Sequence, residues 1–502
     1  MRLSWSYLFA TPIALAAVAP LFILFVLADD YASVFALRNL ELLLNTLALA
    51  VLSASGAVLI GVPLAFFLAF VSVPLPRFWL ALFAAPLAVP SYLGAFTFYA
   101  AFGSGGELDS WLGVATPSVT GLWGAALVIS LYTYPFVMLT VRAALLNQDA
   151  NVIEAARTLG LSLRASLFVI VLPRVLPSIA AGALLSALYA ISDFGTPAIM
   201  NFDTFTRLIY VEYNSYGLAQ AALFSLQLLV LVSLVLFLEG RLRVTRENPG
   251  RALHVALSKF ELTLAVLLFL PILLLAVGVP LSVFFHWFLR EGVTSFDPSL
   301  AWNSAVASAL AALVAMVAAI PVALAARRGS FGRFLERVSF FGFGIPGIVM
   351  GTVLVYLGLQ LPLLYQTLAL LVLAYVMRFF SLAVGSARSS FEKLDGGLTD
   401  AALLLGASKL EAFWRVTLPL SVRGVLAGAA LVFLEAMREL PATLMLAPTG
   451  FETLATYLWR VYEAGYFGRA AVPSLLLVVL STCGLLVVLL GEKHPDEGGR
   501  VR

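Results

Sequence analysis

Twelve apolar runs, each long enough to cross a bilayer, alternate with short polar stretches along this 502-residue chain. A spanning helix needs about 20 mostly apolar residues. The runs fall near 8–28, 40–70, 78–102, 119–141, 170–192, 219–239, 260–286, 300–325, 338–358, 364–386, 416–437 and 470–491. The second run is longer than a bilayer requires, which predicts tilt or overhang. The first follows Met1 and Arg2 in the manner of a signal peptide, but continues to about Ala28 without a small-residue cleavage pattern, so it reads as a span. The pattern predicts an all-α integral membrane protein.

Composition agrees. Hydrophobic residues make up 62% of the chain and charged residues 11%, against roughly 25% charged in soluble domains. A bilayer must be the solvent for so much apolar surface. The net charge of +3 says less than its placement. One set of loops carries Arg77, Arg142, Arg157, Arg164, Arg241, Arg243, Arg246, Arg251, Lys259, Arg327, Arg328, Arg333, Arg337, Arg388, Lys393, Lys409 and Arg415; the termini add Arg2, Lys493, Arg500 and Arg502. The opposite loops hold Arg38, Arg207, Arg290, Arg460 and Arg469 and lean acidic at Asp29, Asp30, Glu107, Asp109, Asp203, Glu212, Glu291 and Asp297. Positive charge stays inside, so the rich loops and both termini are expected in the cytoplasm.

The same inventory narrows the chemistry. Cys483 is the only cysteine, which excludes an intramolecular disulfide and a Cys-based metal site. His254, His286 and His494 have no ligand spacing and read as loop or interfacial residues, so no metal site is expected. No G-x-x-x-x-G-K-[ST] phosphate loop and no Ser-His-Asp or Cys-His constellation stands out, so the chain is expected to be neither an ATPase nor another enzyme, with no catalytic residues. The Gly-rich FGFGIPG near residue 344 lies in an apolar run and reads as close helix packing.

The chain repeats itself. NTLALAVLSASGAVLIGVP (Asn45 to Pro63) has the Asn-to-Pro spacing of NSAVASALAALVAMVAAIP (Asn303 to Pro321), and Pro90 in VPSYLGAF answers Pro346 in IPGIVMGT. Glu154 and Asp400 open related motifs 246 residues apart, and Asp193 and Glu439 keep that offset. Six spans separate the two motifs, which puts them on one membrane face and makes the repeats parallel. The halves are 1–245 and 246–502.

The paired motif is EAARTLGLSLRASLFVIVLP (Glu154 to Pro173) and DAALLLGASKLEAFWRVTLP (Asp400 to Pro419). Asn151 and Glu154 have capping-box spacing, which predicts the start of a short helix there. Gly160 is placed to end it in a left-handed turn, and a second helical stretch leads through Pro173 into the next span. Small residues, Ala155 and Ala156, are expected on the exposed face, where they permit close docking, with a charged contact from Glu154 or Asp400. One copy alone would also suit a capped interfacial helix.

These motifs resemble the EAA loop of binding-protein-dependent ABC importer permeases. The resemblance implies a type I permease (MetI-like) fold and coupling to ATPase subunits through Glu154, Ala155, Ala156 and Gly160 and through Asp400, Ala401, Ala402 and Gly406. It further implies two copies of a cytoplasmic ABC ATPase and a periplasmic or lipid-anchored solute-binding protein. ATP would be used by the ATPase, with no cofactor on this chain and no nucleic acid. The strings PLAVPSYLGAF, ISDFGTPAIM, TFTRLIY, MRELPATLML and FETLATYLW resemble iron(III)-type permeases, which fuse both halves in one inner-membrane chain. Thiamine permeases are close relatives with the same plan. Asp400 replaces the usual Glu, and Arg438 stands where Lys is common.

Asp193, Phe194, Gly195, Glu435, Arg438, Glu439 and Pro441 are candidates for the translocation pathway near its outer mouth, because ionisable groups at membrane depth face a cavity or a partner. An internal pair of Arg438 with Glu435 or Glu439 is the alternative. Gly195 and Pro441 should break their helices, and a broken helix at that depth belongs against protein or a cavity. Hard Fe(III) prefers oxygen ligands, but two or three acids do not define a metal site. Tyr210, Tyr213, Tyr216, Tyr457, Trp459, Tyr462 and Tyr466 suggest an interfacial aromatic belt or a docking surface for the binding protein. Permeases for thiamine, phosphonate or polyamine, and an ion-gradient-driven secondary transporter, are the competing readings; the last leaves the paired motifs unexplained.

Overall fold

The computed structural model describes residues 5–28, 31, 34, 36–215, 217–241, 258–293, 296–327, 329–392, 394 and 396–491. The extreme termini and the arginines expected at 243, 246 and 251 in the joining segment lie outside these, as do His254, His494 and Tyr216. Helices account for the architecture, and no sheet forms among the described residues. Ten of them are long and apolar enough to span a membrane, or eleven if one bent pair is counted as a span.

Two of the twelve expected spans are therefore corrected. The run 78–102 is Pro76–Ala84, a tight turn at Ala85–Ala88 and Ser91–Ala101, bent by 82°. The run 338–358 divides into Ser330–Gly344 and Gly347–Gln360. Both breaks have the same cause. Pro90 and Pro346 lack an N–H and force the residue before them out of helical geometry, so Val89 and Ile345 are extended (ψ 118° and 120°). Leu37–Phe70, at 34 residues, extends about 50 Å and overhangs the roughly 30 Å hydrocarbon core as its length predicted.

Prolines also widen three helices. The π-turns Leu167–Val171, Leu274–Gly278 and Phe413–Thr417 each precede a proline by two residues, at Pro173, Pro280 and Pro419. The Leu172 N–H reaches back to the Leu167 carbonyl, an i→i−5 bond that relieves crowding at the proline ring.

The helices pack backbone to backbone where side chains are small. A Cβ on Gly61 would lie 2.7 Å from the Tyr134 carbonyl oxygen, and one on Gly182 would lie 2.7 Å from Val137 Cα. Leu37–Phe70, Gly121–Leu146 and Leu172–Ser192 thereby form one tight trio in the first half; Pro298–Ala326, Leu368–Glu392 and Leu418–Met437 repeat it in the second.

The halves exchange their first helices. Trp5–Leu27 packs on Pro298–Ala326 and Ser330–Gly344, with Tyr7 and Phe331 rings 5.8 Å apart. Reciprocally, Phe269 of Lys259–Leu273 packs on Phe67 (5.4 Å) and Phe83 (5.9 Å) of the first half. Trp287, farther along, packs on Phe96 at 5.3 Å. The repeat boundary near residue 245 is thus crossed by packing in both directions.

The repeated Asn at the head of each second helix has a structural role. Asn45 Nδ2 donates to the Asp203 carbonyl (3.1 Å), and Thr46 Oγ1 accepts from Phe205 N (3.2 Å). Asn303 Nδ2 donates to the Glu452 carbonyl (3.0 Å), and Ser304 Oγ accepts from Leu454 N (2.8 Å). Each dipeptide holds the first turn of a short helix, Phe205–Ser215 or Leu454–Glu463, whose leading N–H groups lack intrahelical partners.

Candidate functional site: paired elbows and a central cavity

Each elbow is a short helix, a left-handed glycine and a second helical start. The first helix is Ala150–Thr158, and its cap is Asp149, whose side chain accepts from Asn151 N at 3.0 Å; the start lies two residues before the capping box expected at Asn151. Gly160 has φ +95°, with Gly160 N bonded to Arg157 O and Leu161 N to Ala156 O. The second copy, Gly396–Leu404, repeats this with Gly406 at φ +90° and Ala407 N bonded to Ala402 O. These bonds satisfy the last carbonyls of each helix in the manner of a Schellman turn.

The exposed face differs from the expectation. Ala155 and Ala401 are exposed, but Ala156 is buried and Ala402 half-buried. Ile153 and Ala156, three residues apart, share the face that turns inward. Glu154 and Asp400 remain outward, together with Leu159 (86% exposed) and with Leu404 and Leu405 (each 89%). An apolar tip next to an acid is a surface suited to a protein groove.

The pathway candidates converge on one cavity of about 120 Å³ between the halves. Asp193, Phe194, Gly195, Glu435, Arg438, Glu439 and Pro441 all line it, joined by Pro90, Ser91, Tyr92, Tyr189 and Arg378. Its position along one helix is set by Arg378. Arg378 is the eleventh residue of Leu368–Glu392, which puts the cavity about 15 Å along that helix. Short helices, Gly195–Ile199 and Pro441–Leu446, begin at its wall.

The breaks that create those short helices position the acids. Leu172–Ser192 ends before Asp193, which turns extended (ψ 124°). Its Oδ1 accepts from Gly195 N at 3.1 Å, and its Oδ2 accepts from Ser91 Oγ at 2.8 Å. Tyr189 OH donates in turn to Ser91 Oγ at 3.0 Å. In the second half Glu439 Oε1 accepts from Ala442 N at 3.1 Å and lies 3.4 Å from Arg378 Nη1. Arg438 pairs with Glu435, and its Nη1 also donates to the Leu87 carbonyl of the first half at 2.9 Å. The internal pair is therefore Arg438–Glu435, while Glu439 takes Arg378. Among the described residues no group of three or more His, Cys, Asp or Glu is disposed to hold a metal ion.

Ser91, Tyr92, Tyr189 and Arg378 were missed by sequence reasoning. Arg378 had a visible signal, an arginine inside the apolar LALLVLAYVMRFF. Ser91 reads only as a helix start after proline, and the two tyrosines look like any aromatic in a span.

Most of the described aromatic residues pack inward. Trp459 and Tyr457 are buried, while Tyr210, Tyr213 and Tyr462 are partly so. Phe194, on the cavity wall, packs on Tyr210 (4.9 Å) from its own half and Trp459 (5.0 Å) from the other. Tyr462 OH donates to the Ile199 carbonyl across the halves (3.2 Å), and its ring packs on Phe96 at 5.6 Å. Tyr466 alone of the group is largely exposed among the described residues. Glu107 receives Trp287 Nε1 (2.7 Å) and lies 3.5 Å from His286 Nε2. Nearby, Thr116 hydrogen bonds hold the Asp109 carboxyl below its ordinary pKa.

Two segments, 61–244 and 311–494, each match the family of binding-protein-dependent transport system inner membrane components. The chain belongs to this family. The permease is similar to the Fe(3+)-transport system permease protein of Haemophilus influenzae, 30% identical over 470 residues and covering 90% of each chain. It is also similar to a probable molybdenum ABC transporter permease protein of Haloferax volcanii, 35% identical over 206 residues, or 39% of this chain and 76% of the other. The molybdenum transport system permease protein of Escherichia coli is 28% identical over 181 residues, 33% of this chain and 77% of the other. The permease is thus a multi-pass inner-membrane transport subunit of an ABC importer, served by a separate ATPase and a solute-binding protein. Membership sets aside a transporter driven by an ion gradient.

Proposed function

We propose that this permease carries iron(III) from an external binding protein into the cytoplasm by ATP-driven alternating access, with the cavity between its halves as part of the route. The observation that carries the iron reading is similarity to an Fe(3+)-transport permease along 90% of both chains, both halves included. The molybdenum permeases align with 33–39% of this chain. The two elbows, built alike around Gly160 and Gly406, serve as docking levers for two copies of the ATPase. Crowding of basic residues in the loops on the elbow side supports a cytoplasmic location for that face and for both termini.

The test is uptake of radiolabelled iron(III) into vesicles holding permease, ATPase and loaded binding protein. ATP-dependent accumulation is expected. ATPase stimulation by a binding protein loaded with another solute, with no iron entering, would redirect the substrate.

A further inference from the structure

The helix Ser330–Gly344 places its charges on two different faces. Glu336 is its only acid, and Arg333 and Arg337 are its bases. Gly332, Leu335, Glu336 and Ser339 recur at helical spacing and are buried. There Glu336 pairs with Arg388, which also takes Glu392 at 2.8 Å. Arg333, Phe334, Arg337 and Phe340 are exposed and make one continuous stripe, because residues three or four apart are neighbours on a helix. The Phe331 ring stacks on Phe334 at 6.4 Å. Neither Arg333 nor Arg337 has an acidic partner among the described residues. With the acid turned inward, the exposed face keeps two uncompensated positive charges among aromatic rings.

The course of the helix says what meets that face. Its first turn lies against the end of the span Pro298–Ala326, where a Cβ on Gly332 would meet the Ala325 carbonyl. Glu336 reaches Arg388, close to the end of the span Leu368–Glu392, and the second elbow helix begins soon after at Gly396. Farther along, a Cβ on Gly385 would lie 3.8 Å from the Phe340 ring, and one on Gly342 would lie 2.5 Å from the Met377 carbonyl oxygen. From Arg388 to Met377 is about 16 Å along that spanning helix, half of a roughly 30 Å hydrocarbon core. The arginines thus lie at the elbow end of the spans, and Phe340 lies deeper along them. Basic groups at the end of a span, followed inward by exposed aromatic rings, match the headgroup and acyl layers of a bilayer in that order. A water-soluble partner could reach the arginines but gains nothing from a stripe that continues to this depth.

We propose that this face of Ser330–Gly344 holds an anionic phospholipid, with its phosphate at Arg333 and Arg337 and its acyl chains along Phe334 and Phe340. The planar guanidinium fork donates to two phosphate oxygens at once. The counterpart helix in the first half, Pro76–Ala84, lacks the second base. The spacing of Pro90 and Pro346 sets Arg77 and Phe78 in the places of Arg333 and Phe334, but Leu80 in that of Glu336, Ala81 in that of Arg337 and Ala84 in that of Phe340. The site therefore belongs to one half. Through Glu336 and Arg388 it is tied to the span that leads into the second elbow.

The test is amide hydrogen exchange on the permease, with and without its ATPase, in nanodiscs of phosphatidylcholine carrying increasing phosphatidylglycerol. Phosphatidylglycerol should slow exchange in the segment 330–338. The phosphatidylglycerol fraction giving half of that effect should rise about fivefold with Arg333→Gln and about as much with Arg337→Gln, and the effect should vanish when both are changed. In phosphatidylcholine alone the variants should exchange as the parent does, which separates lost binding from lost folding. Equal exchange in the two lipids, or an effect of phosphatidylglycerol that both variants keep in full, would overturn the proposal. So would the same protection from inorganic phosphate in phosphatidylcholine, which would need no lipid. Protection by the ATPase in phosphatidylcholine, with none added by phosphatidylglycerol, would give the face to the ATPase and equally overturn it.

Discussion

Arg378 and Glu439 lie 3.4 Å apart on the cavity wall, and the first half has no copy of this pair. The 246-residue offset sets Tyr132 where Arg378 stands and Asp193 where Glu439 stands. Gly347 makes room for the arginine, because a Cβ there would lie 1.8 Å from Arg378 Nη1 and 2.3 Å from Glu439 Oε1. Ser91, at the matching place after Pro90, instead supplies a hydroxyl to Asp193. The two halves share a backbone plan and satisfy their acids by different chemistry.

Removing the arginine alone should be costly. Arg378→Leu leaves Glu439, 5% exposed, without its cation, and losing one partner of a buried pair typically costs about 3–5 kcal/mol. Thermal unfolding in detergent should show a marked drop, and Arg378→Leu with Glu439→Gln should lose less than the sum of the single changes. Gly347→Ala should resemble Arg378→Leu by displacing the guanidinium. Additive losses would mean the two side chains are not coupled.

Reversing charge at both elbows should uncouple the motor. Glu154→Lys with Asp400→Lys changes two outward residues beside the exposed Leu159, Leu404 and Leu405. The permease should stay folded, since both sites are at the surface, while the ATPase no longer co-purifies and ATP-dependent uptake stops. Retention of a full complement of ATPase would remove the elbows as docking levers.

The membrane face of the elbows can be read with thiol labelling. Cys483 is the lone cysteine, so a Cys483→Ser background is clean. Thr158→Cys and Leu404→Cys, both exposed, should react with an impermeant maleimide from the cytoplasmic face. Asn201→Cys and Thr449→Cys should react from the other face. Labelling of positions 158 and 404 from opposite sides would break the parallel arrangement.

The exchange of first helices predicts how the halves behave when cut. Segments 1–245 and 246–502 expressed together should reassemble and co-purify, because Tyr7 packs on Phe331 in one direction and Phe269 on Phe67 and Phe83 in the other. Either segment alone should aggregate or be degraded. Phe269→Ala, which opens the aromatic contact at a 6%-exposed site, should weaken association, at a cost of about 3 kcal/mol for the lost packing. Co-purification is the readout; a stable, monodisperse single half would contradict the exchange.

What the sequence disclosed follows from the range of each interaction. The glycines at 160 and 406 were legible because a left-handed turn is decided within a few residues. Asp193 and Glu439 were legible because acids in apolar surroundings stand out and share an offset. The breaks at Pro90 and Pro346 were less so: hydropathy averages across a missing N–H, and both runs stayed apolar from end to end. The inward turn of Ala156 depends on what Ile153 packs against, which no local pattern shows. The partner of Arg378 lies 61 residues away, and the contact of Arg438 with Leu87 spans 351 residues; spacing alone offered Arg438 two acids and could not choose between them.

The bond from Arg438 to the Leu87 carbonyl has one further implication. By the internal offset its counterpart is Ser192, whose side chain is too short to reach as a guanidinium does. Among the described residues this guanidinium bond is thus made from one flank only, a strut without a matched copy. The symmetry of the backbone plan therefore does not extend to the bonds that join the lobes.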